Sequence, residues 1–419
     1  MKLPQLPLAT AALVGLLALS ACAGGATASD GDDPVSLEFV LSGDANQGGG
    51  YQAMADKYEA ETGVHVEIVD VPYDDLVTRL RSGAQAGDLP ALARASEVDP
   101  LWSSSILDLT DIAEQNGVMD SLLVENADGE VQALPSDLTA VGLFLNKSLF
   151  DQAGVAYPGV DDTPWTWDEF VAALEQVKAA TGAKYGMVMD ASAHRLRSFM
   201  YQFGSQGVQE QADGTWALDD EGATALEYFK GLNDDDIMPK SVWLSGEDPS
   251  ALFKSGQVAA YYSGVWQVTD FSENITDFEW TTSLMPAQTT RATNLGTNWM
   301  VAFDGTGVEQ ETLDFINWLY EPTNYAELSK ISGFLPAETG LEVDYTADAD
   351  AFDMFYAEIE ASDPIAGDQA TAALENSFAG RVLEFEPLKD ETVKYLNDEQ
   401  DLATTVQAIG DQTTDAYGE

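Results

Sequence analysis

Few residues in this chain of 419 are of a type that makes or breaks covalent bonds. There is one cysteine, Cys22, and the two histidines, His65 and His194, lie far apart. A cysteine nucleophile or a Cys/His zinc site needs partners that this composition does not supply. No GxSxG elbow, P-loop or Rossmann glycine fingerprint occurs. Carboxylates abound, 72 Asp+Glu against 18 Lys+Arg, so a pair at glycosidase spacing would carry little weight. The acidic runs "SDGDD" and "LNDDDIM" lack the ligand spacing of a calcium loop. No metal and no cofactor is expected. His194, Arg195 and Arg197 stand together in a chain of formal charge −54, either lining a site or pairing with surface carboxylates. Trp266 follows Gly264 in "YYSGVWQ". A flat aromatic ring packs on C–H faces, and Asp, Glu, Asn, Gln and Arg side chains hydrogen-bond polar groups.

Charge excludes one class of partner. A field this negative repels phosphate backbones, so no nucleic acid is expected. The acids are spread along the chain and read as solvated surface, not as a ligand signature.

The lone cysteine has its explanation in its surroundings. After Lys2, "LPLATAALVGLLAL" is too short for a comfortable membrane span and fits the apolar core of a secretory signal. "LSAC" then resembles the bacterial lipobox, which implies that Cys22 is acylated and becomes the mature first residue. Several acyl chains anchor firmly where one is marginal. Residues 1–21 are thus expected to be a signal peptide and 22–34, "CAGGATASDGDDP", a flexible tether. The body would stand on the extracellular face of the cell membrane, lipid-anchored.

The elements that must position the capture groups alternate. "VSLEFVL" alternates as a strand, Tyr51, Met54, Ala55 and Tyr58 recur at helical spacing, Gly63 stops that helix, and "VHVEIV" alternates again. That is a βαβ unit of a parallel sheet. His65 falls on the outward side. A helix over 73–84 follows, then the short apolar "PALARA", and "VQALPSDLTAVGLFLN" reads as extended structure at a domain junction. "PWTWDEFVAALEQVKAATG" predicts a helix capped by Thr166 with Glu169 closing a capping box, a buried stripe of Phe170, Val171, Leu174 and Val177, and a stop at Gly182. Trp165 and Trp167 read as packing residues. "KYGMVMD" predicts another strand and 193–203 another helix. The class is α/β, with no internal repeat.

Three runs carry a resemblance. "LFLNKSLFDQAGV…TPWTWDEFVAA", "LFKSGQVAAYYSGVWQV" and "GFLPA" occur in the order found in extracellular solute-binding proteins of ABC importers, the sugar-binding group. The resemblance implies a two-lobed periplasmic-binding-protein-like fold of type II, with lobes joined by a multi-strand hinge over a ligand cleft. It implies an N-terminal lobe of 35–140 plus 297–340 and a C-terminal lobe of 146–294 plus 346–419. Crossings fall near Thr139–Leu145, Leu295–Met300 and 338–346. It implies capture of a mono- or oligosaccharide and delivery to ABC permease subunits, by a monomer without enzymatic activity.

Trp266 stands where that family puts a stacking Trp. Asp44, Asn46 and Gln47 lie in the loop after the first strand. Ser96 and Glu97 follow a strand, and Asp137 and Thr139 enter the junction. His194 and Arg195 join them, as do Gly296 and Asn298 at the return crossing, and Arg381 in "FAGRVLEF". Other readings stay open. A polyamine or cationic osmolyte would want an Arg-free acidic box with an aromatic cage. A surface carbohydrate hydrolase would release product, and a receptor or adhesion protein would have no permease partner.

Overall fold

The computed structural model describes residues 35–44, 48–126, 128–345, 348–378, 381, 383 and 386–417. Cys22, Asn46 and Gln47 lie outside the described residues.

The chain builds five strands, β1 (Ser36–Leu41), β2 (His65–Asp70), β3 (Leu92–Ala95), β4 (Val124–Glu125) and β5 (Val131–Pro135). It then leaves for a second sheet with β6 (Thr139–Leu145) and β7 (Tyr185–Met189), makes the hairpin β8 (Val208–Glu210) and β9 (Trp216–Leu218), and adds β10 (Val258–Gly264), β11 (Thr281–Ser283) and β12 (Leu295–Gly296). With β13 (Trp299–Ala302) it returns to the first sheet. The first sheet has the order β2-β1-β3-β13-β5-β4, with β1 parallel to β2 and β3, and β13 antiparallel to β3 and β5. The second has the order β11-β6-β10-β7, with β12 on β6, and β10 parallel to β7.

Local sequence explains the elements. The βαβ expectation is met: β1, the helix Gly50–Thr62 and β2 follow in turn, and Gly63 stops the helix at φ 80°. Thr166 Oγ1 accepts from Glu169 N at 3.2 Å while Glu169 Oε2 accepts from Thr166 N at 2.8 Å, closing the expected capping box. His65 is exposed against Glu59, and Trp167 is fully buried.

Each sheet has its own core. Phe39 and Leu41 pack on one face of the first sheet with Met300 and Phe315, and Val40 packs on the other with Ala93 and Val301. Both faces are covered at the inner end of β1, where Phe39, Val40 and Leu41 run on as consecutive apolar residues. Phe144, Tyr262, Trp167 and Phe199 belong to the core around the second sheet.

Three segments run between the two sheets. The first is 136–139, leading into β6. The second, 296–299, pairs beside it in the register Gly296↔Thr139. A side chain on Gly296 would press on Thr139 Oγ1 at 3.1 Å, so this residue type sets how closely the strands meet. The third passes Leu335, bridged to Leu138, and runs on through Glu338, bridged to Val118, towards the helix Ala349–Glu360.

Candidate functional site

Parallel strands of both sheets end on one cavity of about 1590 Å³. Ser42 and Gly43 lie beyond β1, Tyr73 beyond β2, and Ser96 and Glu97 beyond β3 on the first wall. Ala191 to Arg195 lie beyond β7 and Trp266 beyond β10 on the second. Leu138 to Val141 and Asn294 to Trp299, on the crossing segments, line it too. The space outside the carboxyl ends of parallel strands is where loops are free to present side chains, and where open α/β sheets bind ligands.

The second wall is built around Asp190. Its Oδ2 accepts from Arg195 Nη2 at 2.7 Å, Arg195 Nε at 2.9 Å and Ser263 Oγ at 2.7 Å, and its Oδ1 accepts from the Tyr261 hydroxyl. Gln267 Nε2 donates to that hydroxyl at 3.2 Å. Arg195 is thereby laid over the Trp266 ring, 4.4 Å from its centroid. Its Nη1 has no hydrogen-bond partner among the described residues. Trp266 folds back over Gly264, where a Cβ would lie 1.9 Å from the indole. Ser192 caps the helix Ala193–Gln202 by accepting from Arg195 N at 3.3 Å, which fixes the start of the helix at the cavity.

His194 is open to the cavity. Its imidazole is held well below its ordinary value, first by the protein that walls it in and then by the charges of Arg197 and Arg195. It stays neutral at physiological pH. Burial raises the Glu97 carboxyl, opposed by Arg81 at 3.2 Å.

On the first wall Arg94 is only 3 % exposed and meets the fully buried Asp137 at 2.8 Å. Arg94 Nε donates to Ser136 Oγ at 3.0 Å, and Ser136 Oγ in turn reaches the Asn298 carbonyl at 2.8 Å. The cluster thus ties β3 to both the 136–139 and 296–299 segments.

Of the residues expected at the site, Ser96, Glu97, Thr139, His194, Arg195, Trp266, Gly296, Asn298 and Arg381 all line this cavity. Two do not. Asp44 is buried and accepts from Tyr51 N at 2.8 Å and Gln52 N at 3.2 Å, which spends its carboxylate on the first turn of a helix. Asp137 is spent on Arg94. The two open readings of the cation cluster merge: Arg195 and Arg197 line the cavity and are also paired, with Asp190 and Glu386.

Arg94, Asp190, Tyr73, Trp216 and Tyr417 were not anticipated. Asp190 had a signal, a carboxylate ending an apolar strand just before a capping serine. Arg94 had another, a cation inside the apolar "ALARAS". Among the described residues, charged side chains on the cavity wall number five basic (Arg94, Arg195, Arg197, Arg381, Lys389) and four acidic (Asp70, Glu97, Glu210, Glu386). That balance contrasts with the fourfold acid excess of the whole chain. Among the described residues no three metal-ligating side chains converge, and no helix is long and apolar enough to cross a membrane.

Comparison with known proteins agrees with this geometry. A family model described as bacterial extracellular solute-binding protein matches residues 53–353. A putative binding protein of Brucella abortus (strain 2308) is 25% identical over 330 residues, covering 74% of this chain and 78% of that protein. The lactose-binding protein of Rhizobium radiobacter is 27% identical over 274 residues, covering 60% of this chain and 62% of its own. Among solved structures, the GacH receptor of Streptomyces glaucescens, solved unliganded and with acarbose, superimposes with a TM-score of 0.73 at 18% identity over 93% of this chain and 100% of that one. Its fold has two lobes, as here.

Proposed function

The chain belongs to the bacterial extracellular solute-binding proteins, and from that membership we propose that it captures a mono- or oligosaccharide in the cleft and delivers it to the permease subunits of an ABC importer. The observation that carries this is the second wall, where an aromatic face, a guanidinium with an unspent nitrogen and the carboxylate that holds it are fixed side by side. A pyranose offers C–H faces to the part of the indole that Arg195 leaves open and hydroxyls to the planar groups. An unmatched buried hydroxyl or partner costs about 1–3 kcal/mol, which gives stereochemical choice. The lactose-binding relative supports the same class.

The binding set is Asn46, Gln47, Ser96, Glu97, Thr139, His194, Arg195, Trp266, Gly296, Asn298 and Arg381. The lobes are 35–140 plus 297–340 and 146–294 plus 346–419, closing on ligand about the crossing segments because ligand touches both walls only when closed. The chain acts as a monomer, is held at the membrane by lipid on Cys22, and hydrolyses nothing. A cationic solute is disfavoured, because four of the seven arginines line the cavity.

Calorimetric titration tests this with lactose, galactooligosaccharides, arabinooligosaccharides, maltodextrins, spermidine and glycine betaine. A saccharide is expected to bind near micromolar, about −8 kcal/mol, and the two cations to give no heat. Silence from every saccharide ends the proposal.

A further inference from the structure

The cavity is larger than one aromatic platform can use. Two residues apart on an α-helix diverge by about 200°, so Arg195 and Arg197 lead away from the helix Ala193–Gln202 into different parts of the same cavity. Arg195 leads to Trp266. Arg197 leads elsewhere, and its Nη2 donates to Glu386 Oε2 at 3.1 Å. The charge of Arg197 is also felt at Tyr417.

There a second aromatic pair lines the wall. Trp216 on β9 and Tyr417, which ends the helix Leu402–Tyr417, meet edge to face at 4.9 Å and 75°. Both are half-buried and both border the cavity. Their placement is fixed: Trp216 N donates to Thr414 Oγ1 at 2.7 Å, and Gly410 lets the helix close on β9, since a Cβ there would lie 2.6 Å from the Trp216 carbonyl oxygen. This part of the cavity therefore repeats the composition around Trp266: an aromatic surface, a guanidinium and the carboxylate that holds it.

Resting on the saccharide reading above, we propose that Trp216, Tyr417, Arg197 and Glu386 form a second sugar subsite, and that the ligand is an oligosaccharide long enough to reach it from Trp266. A disaccharide fills the Trp266 end alone. Units added beyond it stack on the Trp216–Tyr417 pair, with hydroxyls on Arg197 and Glu386.

Calorimetric titration of the full chain with di-, tri- and tetrasaccharides of galactan, arabinan, maltodextrin and chitin tests this. Affinity is expected to rise at least tenfold from the disaccharide to the tetrasaccharide of the preferred series. Trp216→Ala is expected to abolish that rise while changing disaccharide affinity less than twofold. Trp216→Phe, which keeps a ring, restores most of it and shows that the Ala variant's loss is not misfolding. Trp266→Ala is expected to weaken every length. Equal affinity at all lengths, or an equal loss at all lengths in Trp216→Ala, overturns the subsite and leaves the saccharide reading standing. No heat from any series overturns both.

Discussion

Two Arg–Asp pairs of almost equal length stand on opposite walls of the cleft. Arg94 meets Asp137 at 2.8 Å with side-chain exposures of 3% and 0%, and Arg195 meets Asp190 at 2.7 Å with exposures of 11% and 19%. The first guanidinium is used up inside the protein, by Asp137, Ser136 Oγ and the Ser42 carbonyl. The second keeps Nη1 without a partner among the described residues, beside an indole. The same chemistry is a strut when every donor has a protein partner and a binding group when one does not. Burial drives the distinction: it works against the charge on Arg94, yet Asp137 prevails and raises its ionisation above the ordinary value.

The sharpest break of this comparison is Asp137→Ala. It strands a buried guanidinium and is expected to lower unfolding free energy by about 3–5 kcal/mol, read by urea denaturation. Replacing both partners, Arg94→Met with Asp137→Leu, is expected to recover most of that loss. If Asp137→Ala unfolds no more easily than Asp190→Ala, the strut reading falls.

Glu338 shows what a buried acid does with no cation beside it among the described residues. It is 3% exposed, its Oε1 has no hydrogen-bond partner among the described residues, and burial pushes its carboxyl up to about 8. With the folded value above the unfolded one of 4.5, its contribution is intact below that value and lost as pH rises through about 8. Glu338→Gln is therefore expected to stabilise by about 1–3 kcal/mol above pH 8 and to change little near pH 4.5. A thermal-melt pH series checks this, and equal melting curves at both ends would contradict it.

Asp190→Asn keeps the shape but frees Arg195. It is expected to weaken saccharide binding about tenfold, which is about 1.4 kcal/mol, with a smaller change in stability. Loss of stability without loss of affinity would make this pair a second strut. Arg79→Ala, which breaks the exposed pair with Glu38 at 2.6 Å, serves as the floor: about 0.5 kcal/mol or less.

Local signals travelled well. Thr166 and Glu169 are three residues apart, and Gly63 and Gly182 stop helices through their own backbone geometry, so each carries its evidence with it. The place of Trp266 on the cavity wall was legible because Gly264 and the ordered family runs flank it. Asp44 and Asp137 were expected to touch ligand, since a carboxylate at a strand end looks the same whether it faces solvent or a buried partner. Asp137 finds Arg94 forty-three residues back, and no periodicity records that pairing. Trp216 and Tyr417 are separated by most of the second lobe's sequence, and only the docking of the last helix on β9 brings them together.

A crystal structure of the protein with a bound saccharide decides whether this cavity is a sugar site. Electron density is expected for a sugar ring in the cavity, with its C–H face against Trp266 and a hydroxyl within hydrogen-bond reach of Arg195 Nη1. A saccharide bound outside this cavity, or one that leaves Trp266 and Arg195 untouched, would contradict it.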